Sequence, residues 1–546
     1  MRKLLLILCL LPLFTIAQLT GKLKSIDSVL TYLYQRQLFN GTALIGEKGK
    51  VLYKKAFGIS AAVNGKPLTT SSSFNLASVS KQFTAMMIMI LKEQGKLQYD
   101  DLVQKYLPSF PYNNITIRHL LTHTSGLPEY FDIAERNMNL LDTLTNENML
   151  ALLAEKKPPV VFQPGEKWEY CNTNYSTLAS VIEKVSGVSP DKFFDQYIAK
   201  PLKLTNTFIY SIKMKSYPPS RIFGFHYEGG KPLAEDLVWM DGIMGDGAVY
   251  STVEDLYKWD QALYTEKLVK KTTFNDAITA AKLNDGKATD YGFGWFIDEP
   301  GIKVSHTGSW VGFRDYIVRY LQKNQTLILL DNSRNTVARK ILANILEGKP
   351  YSLPQTELIT NVQLIDGTGS TPRKASVRIL NDRISATGEL TPFNNETVID
   401  GKGFVLAPGF IDNHSHHEGG LQKNPDGVAS TNQGVTTIII GQDGESDPID
   451  SLKERIKSHP VSVNIATYTG HASLREMTLK DTLARTATQD EIEAMKKILT
   501  DEIKKGSLGL STGLEYEEAF YSTTDEVMQL AKATASAGGR YISHMR

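Results

Sequence analysis

A serine and a lysine three positions apart form the first pair that could do chemistry. Ser78 and Lys81 directly precede an apolar pattern of helical spacing that includes Met86, Met87 and Leu91. A serine hydroxyl becomes a strong nucleophile when a neighbouring amine takes its proton, and a helix N-terminus offers backbone N–H groups to an oxyanion. The segment therefore predicts attack on a carbonyl carbon. The spacing alone is a weak signal, and by itself it favours a helix cap beside a solvated lysine.

Two later segments add groups of the kind that this chemistry needs. Tyr170 and Asn172 stand on a predicted loop, before a helix that we expect to begin near Tyr175. The run from His306 to Ser309 lies at the edge of a predicted strand. Three such segments in this order are far more specific than a single serine and lysine.

Together these segments resemble the three motifs of the serine β-lactamase and penicillin-binding DD-peptidase and esterase superfamily. The matching residues are Ser78-Val79-Ser80-Lys81, Tyr170-Cys171-Asn172 and His306-Thr307-Gly308, and the resemblance covers about residues 25–348. It implies a domain that needs no cofactor.

The resemblance also assigns roles to individual residues. It implies an acyl-enzyme on Ser78, with Lys81 and Tyr170 sharing the proton transfer, and substrate binding by Asn172. It further implies that the backbone N–H groups of Ser78 and Ser309 form an oxyanion hole. His306, Thr307 and Gly308 would line the site near the substrate's carboxylate or leaving group. His306 stands where many β-lactamases have lysine, which favours a peptide or ester substrate over an antibiotic.

A second constellation begins at a pair of histidines. His414 and His416 follow an apolar strand at a spacing of two, so both imidazoles face the same side, as a shared metal requires. Asp443 and His544 follow two further predicted strands. His471 follows another, where substrate contact and loop packing are both open.

This half resembles the D-aminoacylase family of metal-dependent amidohydrolases. The match rests on Asp366-Gly367-Thr368-Gly369, on the His414 segment and on the run from Gly509 to Tyr516. It implies zinc, held by His414, His416 and His544. Asp443 stands where the family commonly has cysteine, and carboxylate is an acceptable zinc ligand.

The elements that must position these residues predict an α/β multidomain protein. A helix from Ile26 to Leu38 and a hairpin open the first domain, and late strands with a helix from Val337 to Leu346 close it. We expect these two ends to share one antiparallel sheet with flanking helices, and the stretch between them to form a helical region.

The second half predicts a different architecture. A Pro/Gly-rich linker at 349–356 separates domain 18–348 from domain 357–546. Short β-rich segments predict a small β-domain, and alternating strands and helices then predict an incomplete βα barrel of the TIM type. Because about five barrel strands are recognisable against the eight of that fold, we expect a C-terminally truncated domain.

The N-terminus and the composition bear on location and partners. Residues 1–17 have the layout of a secretory signal peptide, which predicts export to the periplasm or the medium without a stable membrane span after cleavage. Lys plus Arg number 60 against 59 for Asp plus Glu, which argues against a nucleic-acid partner. Once the signal is removed, Cys171 is the remaining cysteine, so no intrachain disulfide is expected.

The leading hypothesis is an exported serine hydrolase that cleaves amide or ester bonds in a small molecule or peptide. The alternative is a zinc-dependent N-acyl-D-amino-acid deacylase, if the barrel is complete in the full gene product. Both resemblances point to substrates that contain D-amino acids.

Overall fold

The computed structural model describes residues 2–139, 141–480 and 482–544, with side chains from Leu19 onward except Glu418. The predicted signal peptide falls among residues whose side chains lie outside this description. Among the described residues, no helix combines the length and the apolar character needed to cross a membrane. The chain divides into two compact units, residues 1–362 with 375–402, and residues 363–374 with 403–546.

The first unit carries helices along most of its length. Those before residue 349 are α1 (Arg2–Gln35), α2 (Lys81–Glu93), α3 (Ile117–Leu121), α4 (Tyr130–Asn137), α5 (Asn146–Lys156), α6 (Asn172–Ser186), α7 (Pro190–Phe194), α8 (Lys200–Leu202), α9 (Val253–Ala262), α10 (Lys271–Ala277) and α11 (Val337–Glu347). A 3-10 turn, Ala77–Ser80, leads directly into α2.

The strands of the same region are β1 (Gly41–Glu47), β2 (Lys50–Phe57), β3 (Phe74–Asn75), β4 (Phe208–Ile209), β5 (Phe225–Glu228), β6 (Lys231–Ala234), β7 (Val249–Ser251), β8 (Phe296–Glu299), β9 (Lys303–Trp310), β10 (Phe313–Tyr320) and β11 (Gln325–Asp331). The main sheet is antiparallel in the order β2-β1-β11-β10-β9-β8. The two ends of the region therefore share one sheet, as the sequence predicts.

Side chains along β1 point alternately to the two faces of the sheet, which explains why this sheet has a hydrophobic core on each face. Ala43 and Ile45 point to one side and pack with α1 and α11, whereas Leu44 between them joins the larger core on the other side. That larger core includes most of α2, which is buried along nearly its whole length. The helix that follows Ser78 is thus anchored by apolar packing.

A small sheet follows the first sheet along the chain. Its strands are β12 (Thr356–Leu364), β13 (Arg373–Leu380), β14 (Arg383–Gly388), β15 (Thr397–Asp400) and β16 (Val405–Leu406). The order is β14-β13-β12-β15, and β16 pairs with the end of β12. The predicted linker at 349–356 lies inside the first compact unit, and β13 to β15 belong mostly to that unit as well.

The rest of the second unit alternates strands with helices. It contains β17 (Phe410–Asp412), α12 (Glu418–Lys423), α13 (Val428–Thr431), β18 (Val435–Ile440), α14 (Ile449–Ser458), β19 (Asn464–Thr467), β20 (Thr469–Gly470), α15 (His471–Leu479), α16 (Gln489–Lys505), β21 (Gly509–Gly513), α17 (Thr524–Ser536) and β22 (Arg540–His544). The strands pair in parallel as two sheets, β17-β18-β19 and β20-β21-β22. Within the described residues they form no closed barrel.

Candidate active site

The turn before α2 places Ser78 beside the sheet. Ala77 has a φ of +46°, a left-handed conformation that is strained for a residue with a Cβ and is found at functional sites more often than elsewhere. Strand β9 lies so close to this turn that a Cβ on Gly308 would be 2.2 Å from the Leu76 carbonyl oxygen. A glycine at 308 therefore allows β9 to approach the serine.

Lys81 is the central hydrogen-bond donor of the site. Its Nζ donates to Ser78 Oγ at 3.0 Å, to Asn172 Oδ1 at 2.9 Å and to the Asp246 carbonyl oxygen at 2.8 Å. The side chain is fully buried, because it begins the apolar helix α2. The amine is thus held next to the hydroxyl whose proton it would accept.

Asn172 is fixed from its other side by Glu129. The backbone N–H and the Nδ2 group of Asn172 both donate to Glu129 Oε2, at 2.9 and 3.0 Å. Helix α6 begins at Asn172, three residues earlier than the sequence predicts, so this N–H is one of the free donors of a helix N-terminus. Burial raises the pKa of Glu129, while its bond to the Asn172 N–H lowers it.

Tyr170 contacts the lysine through its ring. Lys81 Nζ lies 4.9 Å from the ring centroid, and the His123 ring stacks on Tyr170 with centroids 4.3 Å apart. The Tyr170 hydroxyl is buried, and no described atom serves as its hydrogen-bond partner. Tyr170 is therefore next to the amine, but its hydroxyl is not bonded to Ser78 or Lys81 in this state.

In the segment from His306 to Ser309, some side chains are exposed and others are buried. Ser309 lines the same cavity as Ser78, and Thr307 is exposed on β9. His306 is 1 % exposed and lies off the cavity wall, where it accepts a hydrogen bond from the Tyr291 hydroxyl at 2.8 Å. Its Nδ1 donates to the Thr307 carbonyl at 2.7 Å.

The buried environment of His306 keeps its imidazole ring uncharged. Burial, with a smaller contribution from Lys81, lowers the pKa of His306 to about 3. The imidazole therefore carries no charge at neutral pH, and the positive charge that a lysine would supply is absent from this position. Burial of the ring therefore leaves no pH-dependent charge at this position near pH 7.

A cavity of about 160 Å³ opens at Ser78. Its walls combine aromatic, amide and carboxylate groups. The residues that line it are Asn75, Ala77, Ser78, Tyr130, Phe131, Asn172, Met240, Asp241, Ile243, Asp246, Gly247, Ala248, Ser309 and Trp310. Ser78, Asn172 and Ser309, three of the predicted site residues, thus meet in one space.

The sequence reasoning missed several residues that hold this site together. Asp246 supplies the carbonyl that binds Lys81, and its carboxylate accepts a hydrogen bond from the Tyr130 hydroxyl at 3.0 Å. His123 is fully buried, and its Nδ1 accepts the Cys171 N–H at 3.2 Å, which fixes the turn before Asn172. An acid between Gly245 and Gly247 is the signal that could have indicated Asp246.

Cys171 is a packing residue. The thiol is buried and donates to the Leu127 carbonyl at 3.3 Å. Burial raises its pKa to about 12, so the thiolate does not form at neutral pH. The thiol therefore does not compete with Ser78 as a nucleophile.

The second unit brings three predicted metal ligands together. Ligand atoms of His414, His416 and Asp443 all lie within 4.8 Å of one another. The two Nε2 atoms are 3.3 Å apart, and Asp443 contacts them through different oxygens, at 3.4 Å from His414 and 3.1 Å from His416. Two converging imidazole nitrogens and a carboxylate are a donor set that fits zinc.

His544 also reaches this cluster. Its Nδ1 lies 3.3 Å from Asp443 Oδ1, and its Nε2 lies 3.0 Å from Glu515 Oε1. His471, in contrast, is fully buried and bonds to Glu526 at 2.8 Å, next to the Arg475–Glu526 ion pair. Of the two alternatives for His471, the structure supports packing.

Comparisons with known proteins assign the first region of the chain to a family. The sequence model of the family described as Beta-lactamase matches residues 26–348, more than half of the chain. The chain belongs to the β-lactamase family. Penicillin-binding protein 4* of Bacillus subtilis (strain 168) is 37% identical to it, over 63% of this chain and 81% of that protein.

Two solved structures resemble this chain over about three fifths of its length. A penicillin-binding protein from Bacillus halodurans has a TM-score of 0.51 and 26% identity, covering 58% of this chain and 98% of its own. FmtA from Staphylococcus aureus has a TM-score of 0.52 and 26% identity, covering 61% and 88%.

The second half matches a different family of hydrolases. The model described as Amidohydrolase family matches residues 397–542. A D-aminoacylase from Alcaligenes xylosoxydans xylosoxydans is 33% identical to this chain. The match covers 37% of this chain and 45% of that protein. The protein is thus a fusion of a β-lactamase-family region with an amidohydrolase-family region.

Proposed function

We propose that the first unit hydrolyses amide or ester bonds through an acyl-enzyme on Ser78. The observation that carries this proposal is the 3.0 Å hydrogen bond between Lys81 Nζ and Ser78 Oγ at the edge of the cavity. A nucleophile and its base within hydrogen-bond reach are the signature of covalent acyl transfer. The family resemblance of the three segments supports the same chemistry.

The reaction begins when the Ser78 oxygen attacks the substrate carbonyl carbon and its proton passes to the Lys81 amine. The carbon–nitrogen or carbon–oxygen bond then breaks, and the leaving group takes up that proton. Water next attacks the acyl-enzyme and gives a proton to the Lys81 amine, and that proton passes to the Ser78 oxygen as the acid is released. The backbone N–H groups of Ser78 and Ser309 would bind the oxyanion in both steps.

Labelling of Ser78 tests this function directly. A fluorophosphonate or penicillin-type probe should add its mass to the wild-type protein, and Ser78→Ala should remove the adduct in intact-protein mass spectrometry. Ser71→Ala is the matched control, because Ser71 is exposed and lies outside the cavity. Undiminished labelling of Ser78→Ala would refute the proposal.

We propose a second activity for the second unit, a zinc-dependent deacylation of N-acyl-D-amino acids. The convergence of His414, His416 and Asp443 supports it, and His544 adds a third imidazole nitrogen near Asp443. These residues would hold the ion, which would supply Lewis-acid chemistry at a carbonyl. The neighbouring cavity, of about 560 Å³, is lined by His416, Asp443 and Tyr516 among others.

We further propose that the protein is exported and acts on substrates that contain D-amino acids. The signal-like sequence at 1–17 supports export, and the two family resemblances support the substrate class. N-terminal sequencing of protein secreted by its host should begin after Ala17. A mature protein that retains Met1 would contradict export by cleavage.

A further inference from the structure

The cavity at the Ser78 hydroxyl has an acidic wall. Asp241 and Asp246 both line it, and the described lining residues include no lysine, arginine or histidine. Lys81 is buried beside Ser78, and its Nζ is held by hydrogen bonds to Ser78, Asn172 and the Asp246 carbonyl oxygen. The lysine thus makes its hydrogen bonds within the protein and is not among the residues that line the cavity.

Asp241 is held in place by neutral donors. Trp310 Nε1 donates to its Oδ1 at 2.8 Å, and the backbone N–H of Val238 donates to its Oδ2. Arg221 acts on Asp241 only from a distance, since it forms an ion pair with Asp236 at 2.5 Å. Burial raises the pKa of Asp241 to about 6, so the carboxylate is mainly ionised at pH 7 and above.

Two aromatic rings line the same cavity as this carboxylate, and one of them, Trp310, is hydrogen-bonded to it. Phe131 and Trp310 stack with centroids 5.8 Å apart and an interplanar angle of 23°, and both line the cavity. Aromatic faces attract ammonium groups through their quadrupole. A carboxylate beside two rings is thus complementary to an organic cation.

The β9 segment adds no opposing positive charge. His306 is neutral and lies off the cavity wall. A substrate carboxylate in this cavity would meet the Asp241 carboxylate, and the described lining residues offer no cation to pair with it. Like-charge repulsion in a partly buried space disfavours such a ligand.

Building on the proposed acyl transfer, we propose that the acyl group delivered to Ser78 carries an ammonium group, which Asp241 binds against Phe131 and Trp310. The substrate class is then a cationic aminoacyl ester or amide. Peptides or antibiotics that present a carboxylate to this cavity are poor substrates.

A pair of matched esters tests the proposal. The phenyl esters of D-alanine and of isobutyric acid differ by an ammonium group in place of a methyl group. Wild-type protein should show a kcat/KM at least about 10-fold higher for the D-alanyl ester, after subtraction of the rate with Ser78→Ala. Asp241→Asn should lower this preference about 10-fold, while the matched surface variant Asp285→Asn should leave it unchanged.

The outcomes separate the two proposals. Equal rates for both esters in wild-type protein would overturn cationic recognition while leaving acyl transfer intact, and this comparison needs no folded variant. A preference that survives in folded Asp241→Asn would also overturn the role of Asp241. Hydrolysis that persists undiminished in Ser78→Ala would instead refute the proposed function itself.

Discussion

At the scale of single residues, the site depends on groups that never touch the substrate's reacting atoms. Glu129 holds Asn172, and the Asp246 carbonyl holds Lys81. Each bond fixes the direction of a group that must face Ser78. Hydrogen bonds to charged groups contribute about 1.5–3 kcal/mol, so their loss should be visible in the kinetics.

Glu129→Gln should lower kcat/KM about 10-fold or more, because an amide replaces the carboxylate that accepts both N–H groups of Asn172. Steady-state hydrolysis of a phenyl ester measures the effect. Glu135→Gln is the matched control, since Glu135 is exposed on the helix that follows Glu129. Equal losses in both variants would contradict the positioning role.

Asp315 gives a pH-dependent prediction. It is fully buried without a described hydrogen-bond partner, and burial raises its pKa well above the usual value. The folded state therefore binds this proton more tightly than the unfolded state, so stability falls as the pH rises above about 4. Asp315→Asn should remove that part of the slope and stabilise the protein at pH 7 by about 1–3 kcal/mol.

Thermal unfolding midpoints between pH 4 and pH 8 check this expectation. Asp285→Asn is the control, because Asp285 is exposed in an ion pair with Lys287. If wild-type and Asp315→Asn midpoints change in parallel across this range, the carboxyl of Asp315 is not the cause of the pH dependence.

At the scale of elements, the close contact between β9 and the turn before α2 decides whether the site forms. Gly308 on β9 pairs with Asp315 on β10, and its carbonyl accepts a hydrogen bond from Arg339 at 2.8 Å. These bonds hold β9 to its neighbours. A side chain added at position 308 would therefore have to move β9 away from Leu76.

Gly308→Ala should therefore lower kcat about 100-fold, since a displacement of about 1 Å between Ser309 and Ser78 is enough for such a loss. The new Cβ would lie 2.2 Å from the Leu76 carbonyl oxygen. Gly21→Ala is the matched control, because a Cβ there has no neighbour within 4 Å. A folded Gly308→Ala protein with full activity would contradict this account.

At the scale of the whole molecule, two hydrolase-family regions occur in one chain, and each has its own chemistry. The first offers a hydrogen-bonded serine and lysine, and the second offers histidines and a carboxylate. Because no group is common to the two sites, we expect them to fail independently.

Chelation and substitution test this independence. His414→Ala should weaken zinc binding about 100-fold, measured by titration calorimetry and metal content, while probe labelling of Ser78 stays unchanged. His459→Ala is the matched control, since His459 is exposed and lies outside the cluster. Unchanged zinc binding in His414→Ala would refute the predicted ligand set, and loss of Ser78 labelling on chelation would refute independence.

The sequence by itself determined the two families, the antiparallel sheet shared by both ends of the first region and the parallel pairing in the second. Motif spacing and hydrophobic periodicity are local properties, so Ser78, Lys81, His414 and His416 could be selected from the order of residues alone. Only the tertiary structure decided which side chains complete the sites. Glu129, Asp241 and Asp246 come from distant segments, and the charge of His306 depends on its burial. Burial and proximity are set by packing across the whole fold, and no local spacing records them.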